Sequence, residues 1–167
     1  MKNSLIIALS LAITGFLAFT LSDSNAQVTA AMRSSDDIAV VVNNKNITNE
    51  LSTSDVRSIL LGERRFWKSR EPLKLVLREP GTPERDDLIV SLLRMTNEEY
   101  GHHWRDKIFR GEAPAAPLTV PSNGVASQYV YDTPGAITFV LARNLRPDLK
   151  ILKIDGKMPG DPGYPLR

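Results

Sequence analysis

The sequence predicts an α/β layer fold, and three observations carry that expectation. Short apolar runs rich in β-branched residues alternate with stretches of helical period along the 167-residue chain. Capping residues stand in front of the helical stretches, and turns built from Gly, Pro and Asn separate them from the strands. Alternation of this kind buries strands between layers of helices. No internal repeat is visible.

The elements follow in order. Ile38–Asn43 is a continuous apolar run, which suits a strand buried on both faces of a parallel or mixed sheet, and Asn43–Asn46 ends it with turn chemistry. Ser52 with Asp55 offers an N-terminal cap, Val56, Ile59 and Leu60 recur at helical spacing, and Gly62 stops that helix. Leu73–Leu77 is the second strand. Thr82 as cap and Pro83 at the first helical position open a helix whose buried stripe is Leu88, Ile89, Leu92 and Leu93. Thr96 with Glu99 makes a second capping box, leading into a helix through Phe109 that Gly111 terminates.

Ala113–Pro121 reads as a proline-broken linker and Asn123–Tyr131 as a short helix. Pro134-Gly135 turns the chain into a third strand, Ala136–Val140. Leu149–Ile154 alternates and fits an edge strand with its lysines outward. The expected core includes Val40, Val42, Ile59, Leu75, Leu77, Leu92, Ile137 and Phe139.

The N-terminus reads as an export signal. Lys2 precedes an apolar run from Leu5 to Leu21, and Ser24-x-Ala26 fits cleavage after a small residue. Val28-Thr29-Ala30 is a second such ending. A membrane anchor is the alternative, because the run is near the shortest that spans a bilayer. No positive cluster follows it to stop transfer, which favours cleavage and a periplasmic location. The expected organisation is a signal at 1–26, a flexible segment at 27–36, an α/β domain at 37–156 and a Pro/Gly-rich, disordered tail at 157–167. Cleavage leaves about 140 residues, enough for one domain with its own core.

The chain has no cysteine, so in an oxidising compartment packing alone must hold it, and no lipid can be attached at a cysteine. A net charge of +2 is too mild for a nucleic-acid binder. Catalysis finds little support. There is no cysteine nucleophile, no Gly-x-Ser-x-Gly elbow and no phosphate loop with its lysine. An enzyme is not expected, nor is a cofactor.

The stretch Leu73–Arg85 is the most informative for chemistry. A strand ends at Arg78, a turn through Gly81 follows, and Thr82 begins a helix. Helix-start amides and the positive dipole end suit an anion there, with the Thr82 hydroxyl and a bidentate Arg78 added. The same residues also fit a plain helix start in which Arg78 pairs with Glu79 or Glu84. His102 and His103 lie on the Thr96 helix with Glu99 and Asp106 at i,i+4 spacings, yet two adjacent histidines point apart, and no metal site is expected. Arg64–Arg70 is a basic run around Phe66 and Trp67. It suits a solvated loop with one buried aromatic, or a face that docks onto a membrane complex.

Four blocks in order resemble the periplasmic phosphate-binding proteins of ABC transporters, and more closely a short, one-lobe group of substrate-binding-like proteins. The blocks are Ser52–Gly62, Trp67, Val76–Arg85 and Thr133–Ile137, and the resemblance runs from Ile38 to Gly156. It implies a single-lobe type 2 periplasmic-binding-protein-like domain, with a central mixed sheet and flanking helices. It also implies a small, phosphate-like oxyanion as ligand and a membrane transporter or another protein as partner.

Carried over by position, Arg78 matches the phosphate arginine, Gly81 and Thr82 the Gly-Ser start of the binding turn, and Arg85 the basic residue of the first helical turn. Two departures stand out. Pro83 and Glu84 replace Gly and Thr of the family turn, removing one N–H donor and adding a negative charge. The chain is also too short for both lobes, so a partner supplies the second wall or capture is lost. The two functions left open are a solute-binding protein for phosphate or a similar oxyanion and an accessory interaction protein that keeps the fold without a ligand.

Overall fold

The computed structural model describes residues 36–167; the expected signal and most of the expected flexible segment lie outside them. Six strands form one mixed sheet: β1 (Ile38–Val42), β2 (Glu50–Leu51), β3 (Lys74–Arg78), β4 (Leu118–Val120), β5 (Ala136–Leu141) and β6 (Lys150–Ile154). Their spatial order is β2-β6-β1-β5-β3-β4. β1 runs antiparallel to β5 and β6, whereas β2–β6, β3–β5 and β3–β4 are parallel. This is an α/β domain with a central mixed sheet.

Alternation along the strands divides the interior into two layers. Ile38, Val40 and Val42 of β1 face one side with Leu75, Leu77, Ile137 and Phe139. Against them pack Val56, Ile59 and Leu60 of α1 (Thr53–Leu60) and Tyr100 and Trp104 of α3 (Asn97–Phe109). Ala39, Val41, Ala136 and Val140 face the other side, covered by Val130 of α4 (Asn123–Asp132). Every residue of β1 and β5 is buried, as a strand between two helical layers requires. Both capping boxes form. Ser52 accepts from the Asp55 amide and Asp55 from that of Ser52, and Thr96 and Glu99 do the same for α3.

Several local expectations change. The helix after Pro83 is α2 (Pro83–Asp86) running into a wider π turn, Asp87–Leu92, in which the Leu93 N–H reaches back to Leu88 at 3.1 Å. The wider turn keeps Leu88 and Ile89 in the core and leaves Leu92 and Leu93 only partly buried, so Leu92 is at the margin of the core. Ala113–Pro121 contains a strand, β4, because three residues pair beside β3 between Pro117 and Pro121. β6 is flanked by β1 and by the two-residue β2, so it is not an edge; Lys153 does point outward, while Lys150 donates to the Asn46 carbonyl at 2.8 Å.

The C-terminal segment is not a disordered tail. Tyr164 and Leu166 enter the main core, the Tyr164 hydroxyl donates to the Ile38 carbonyl at 2.8 Å, and Ile38 N–H donates to Leu166 O at 2.9 Å. Its Pro and Gly residues set the path of a packed strap, and two large side chains anchor it.

Candidate functional site

β3 delivers Arg78 to the C-terminal end of the sheet, and the turn Glu79–Thr82 leads straight into α2. Gly81 has φ +83°, a left-handed conformation that glycine takes without strain. Thr82 does not cap α2 with its side chain. Its hydroxyl donates backward to the Glu79 carbonyl at 2.9 Å, which tightens the turn, and its carbonyl accepts from the Arg85 and Asp86 amides.

Arg78 is turned inward. Its Nε donates to Glu84 Oε1 at 3.0 Å, and the two side chains are only 14% and 4% exposed. A carboxylate of the same chain thus lies against the guanidinium that the turn would offer to a free anion. Burial makes this pairing obligatory for Glu84, because an ionised carboxylate inside a protein must be compensated.

Arg85 is held separately. Its Nη1 donates to the Arg78 carbonyl at 2.8 Å, its Nε to Asn97 Oδ1 at 3.1 Å, and its guanidinium carbon lies 5.7 Å from the Tyr100 ring centre. Burial lowers the pKa of this guanidinium, with Tyr100 and Asp86 opposing the shift. Asn97 in turn donates to Asp86 Oδ1 at 2.8 Å, and Asp86 Oδ1 also accepts from the Gly81 N–H at 3.2 Å.

Arg78, Gly81, Thr82 and Arg85 therefore gather in one small cluster, and each spends donors on a group of its own chain. Glu84, Asp86, Asn97 and Tyr100 complete that cluster. Glu84 was visible in the sequence as a charge in the turn. Asn97 and Tyr100 were not, since α3 reaches the turn only through the tertiary fold, and Asp86 of α2 joins through its bond to the Gly81 N–H.

The other two candidate regions are also placed. His103 shares a hydrogen bond of 2.9 Å with the Leu61 carbonyl, which makes that ring nitrogen the donor, and His102 lies exposed 3.8 Å from Glu98. In the basic run, Trp67 is buried and donates to Gly135 O at 2.9 Å. Arg64 pairs with Asp55 at 2.7 Å, while Arg65, Lys68 and Arg70 are exposed.

No family model and no curated protein matches the chain. Solved structures share its fold. A protein described as a phosphate ABC transporter substrate-binding protein from Clostridium perfringens, solved with bound phosphate, matches 74% of this chain at 20% identity and a TM-score of 0.60. PstS from Borrelia burgdorferi matches 74% at 17% identity and a TM-score of 0.58. An ABC-type phosphate transport receptor from Vibrio cholerae matches 74% at 19% identity and a TM-score of 0.53. The chain spans about half the length of each, with 47%, 49% and 48% of those chains covered. The domain is one lobe of a periplasmic-binding-protein fold.

Proposed function

We propose that this chain is an exported, one-lobe relative of solute-binding proteins that works through a protein partner and does not capture free oxyanion on its own. The observation that carries the reading is the buried contact between Arg78 and Glu84 at 3.0 Å. An entering phosphate would have to displace a buried carboxylate whose ion pair among the described residues is with Arg78. It would also meet Gly81 with its amide turned to Asp86, and Arg85 with its guanidinium bonded to Asn97 and to the Arg78 carbonyl. Export rests on the leader Met1–Ala26, which lies outside the described residues.

A second reading keeps phosphate, or a similar oxyanion, as ligand of Arg78, Gly81, Thr82 and Arg85, in ABC-type uptake. It is favoured by the match of these positions to a phosphate turn and by the Clostridium perfringens neighbour, described with bound phosphate. Calorimetry of the purified protein with inorganic phosphate separates the two. The accessory reading expects no saturable heat. One-to-one binding, abolished by Arg78→Lys, would establish the oxyanion reading in its place.

A further inference from the structure

A second feature of the fold lies away from the Arg78 cluster. β4 pairs with β3 only from Val76 onward, opposite Leu118, whereas the β5 side is paired from Lys74. The first residues of β3 therefore have a strand on one side only. A cavity of about 460 Å³ opens there, between the loop before β3, the proline-rich approach to β4 and Trp104 of α3. It falls within the range of small-molecule sites, roughly 300–1,000 Å³. Lys74 precedes Arg78 by four strand residues, about 13 Å, so the two places do not share a ligand.

The lining is mostly apolar, and its charge is of one sign. It includes Arg64, Arg65 and Lys74 and no Asp or Glu. Arg64 is already neutralised by Asp55. Arg65 donates to the backbone carbonyl of Glu112, a neutral partner, because the Glu112 carboxylate turns to Arg110 at 2.7 Å and Lys107 at 3.5 Å. Lys74 is exposed and forms no ion pair among the described residues. Among the described residues, Arg65 and Lys74 thus line the cavity without a paired carboxylate. Phe66 and Leu118, 54% and 42% exposed, present apolar surface beside them.

The strand geometry adds a donor. Lys74 N–H is directed to Gly135 on the β5 side, so alternation turns the Leu75 N–H toward the side where β4 has not yet begun.

We propose that this cavity binds a small apolar carboxylate, a free molecule with an alkyl or aryl body in the groove and its carboxylate between Arg65 and Lys74. The apolar body replaces water along Phe66, Leu118 and the proline-rich wall, and the carboxylate supplies the charge that the lining lacks. The proposal is independent of the Arg78 cluster and of either function given above.

Trp104 lines the cavity, and the chain has one other tryptophan, so intrinsic fluorescence reads binding directly. The probes are octanoate and decanoate, titrated below their micellar concentrations, against decyltrimethylammonium as a cation of matched chain. Decanoate should saturate the signal at one equivalent. Each buried methylene should tighten binding about fourfold, so decanoate should exceed octanoate by about tenfold or more.

The double variant Arg65→Glu/Lys74→Glu should weaken decanoate by at least about tenfold with an unchanged melting curve, since both side chains are exposed. Arg78→Lys should leave decanoate binding as it was. Equal binding of the cationic amphiphile, an unaffected charge-reversal variant, or a response only above the micellar concentration would each overturn the assignment.

Discussion

The indole N–H of Trp67 and the backbone N–H of Lys74 donate to the same carbonyl, that of Gly135, at 2.9 and 3.0 Å. One oxygen at the turn before β5 thereby ties the basic loop to the start of β3. Gly135 has φ +78°, and a Cβ placed there would lie 2.3 Å from the Pro72 carbonyl oxygen. Two independent constraints, conformation and space, exclude a side chain.

Gly135→Ala should therefore destabilise the fold by about 2 kcal/mol or more, combining left-handed strain with a contact that only backbone movement can relieve. Trp67→Phe keeps most of the apolar body and should cost about 1–3 kcal/mol, through the lost hydrogen bond and lost volume. Urea unfolding at constant slope checks both. A cost for Gly135→Ala inside the surface range of about 0.5 kcal/mol would show that the turn is not held this way.

The Arg78–Glu84 pair makes a different kind of prediction. From sequence, Arg78 could pair with Glu79 or Glu84; the fold selects Glu84 and buries it. Arg78→Ala strands that carboxylate and should cost about 3–5 kcal/mol, whereas removing both charges with Arg78→Met/Glu84→Leu should cost much less. Thermal melts of the single and double variants measure the difference. Equal losses for both would mean that Arg78→Ala does not act by stranding the Glu84 carboxylate.

Removing the internal carboxylate should also change the response to anions. Glu84→Thr frees the Arg78 guanidinium, so phosphate should raise its melting temperature, by several degrees at about 100 times the dissociation constant. The unmodified protein should respond no more to phosphate than to chloride at matched ionic strength. A phosphate-specific shift in the unmodified protein, lost in Arg78→Lys, would sink the accessory reading.

The C-terminal strap should be part of the cooperative unit. Deleting residues 158–167 removes Tyr164 and Leu166 from the core and unpairs the Ile38 backbone. The truncated chain should lose at least about 3 kcal/mol, or fail to fold. Tyr164→Phe, which deletes only a buried hydroxyl bond, should cost about 1 kcal/mol. A full-length melting temperature in the truncated chain would contradict the packed strap.

Acid should weaken the first helix through a named group. Hydrogen bonding from the Ser52 backbone, assisted by its hydroxyl and by Arg64, holds the Asp55 carboxyl below its ordinary value, with burial opposing. A group whose pKa is depressed on folding adds stability above its unfolded value, near 3.8, and that stability is lost as pH falls through the folded value. Stability should therefore drop as pH falls below about 4. Ser52→Ala should cost about 1 kcal/mol at neutral pH and lessen that drop only by the hydroxyl's share, since the backbone N–H remains. Denaturation midpoints at pH 3, 4 and 7 read both effects.

Much of the architecture was legible because it rests on local patterns. The β-branched run Ile38–Val42, the capping pairs Ser52/Asp55 and Thr96/Glu99 and the Pro134-Gly135 turn each carry their structure in a few adjacent residues. β2 and β4 escaped notice because two or three residues have no period to detect; pairing with β6 and β3 makes them strands. The strap was misjudged because composition reports turns, while Tyr164 and Leu166 reveal their burial only once β1 lies beneath them.

By itself the sequence determined the layer class, the helix starts and the turn that follows Arg78. Only the tertiary structure decided what those residues do. Arg78, Gly81 and Arg85 read as donors awaiting an anion, and sequence left Glu84 open as either partner or obstacle. The fold buries Glu84 against Arg78 and brings Asn97 and Tyr100 of α3 onto Arg85. Local spacing specifies which groups are near one another along the chain. Which of them must neutralise each other depends on burial, and burial is a property of the packed molecule.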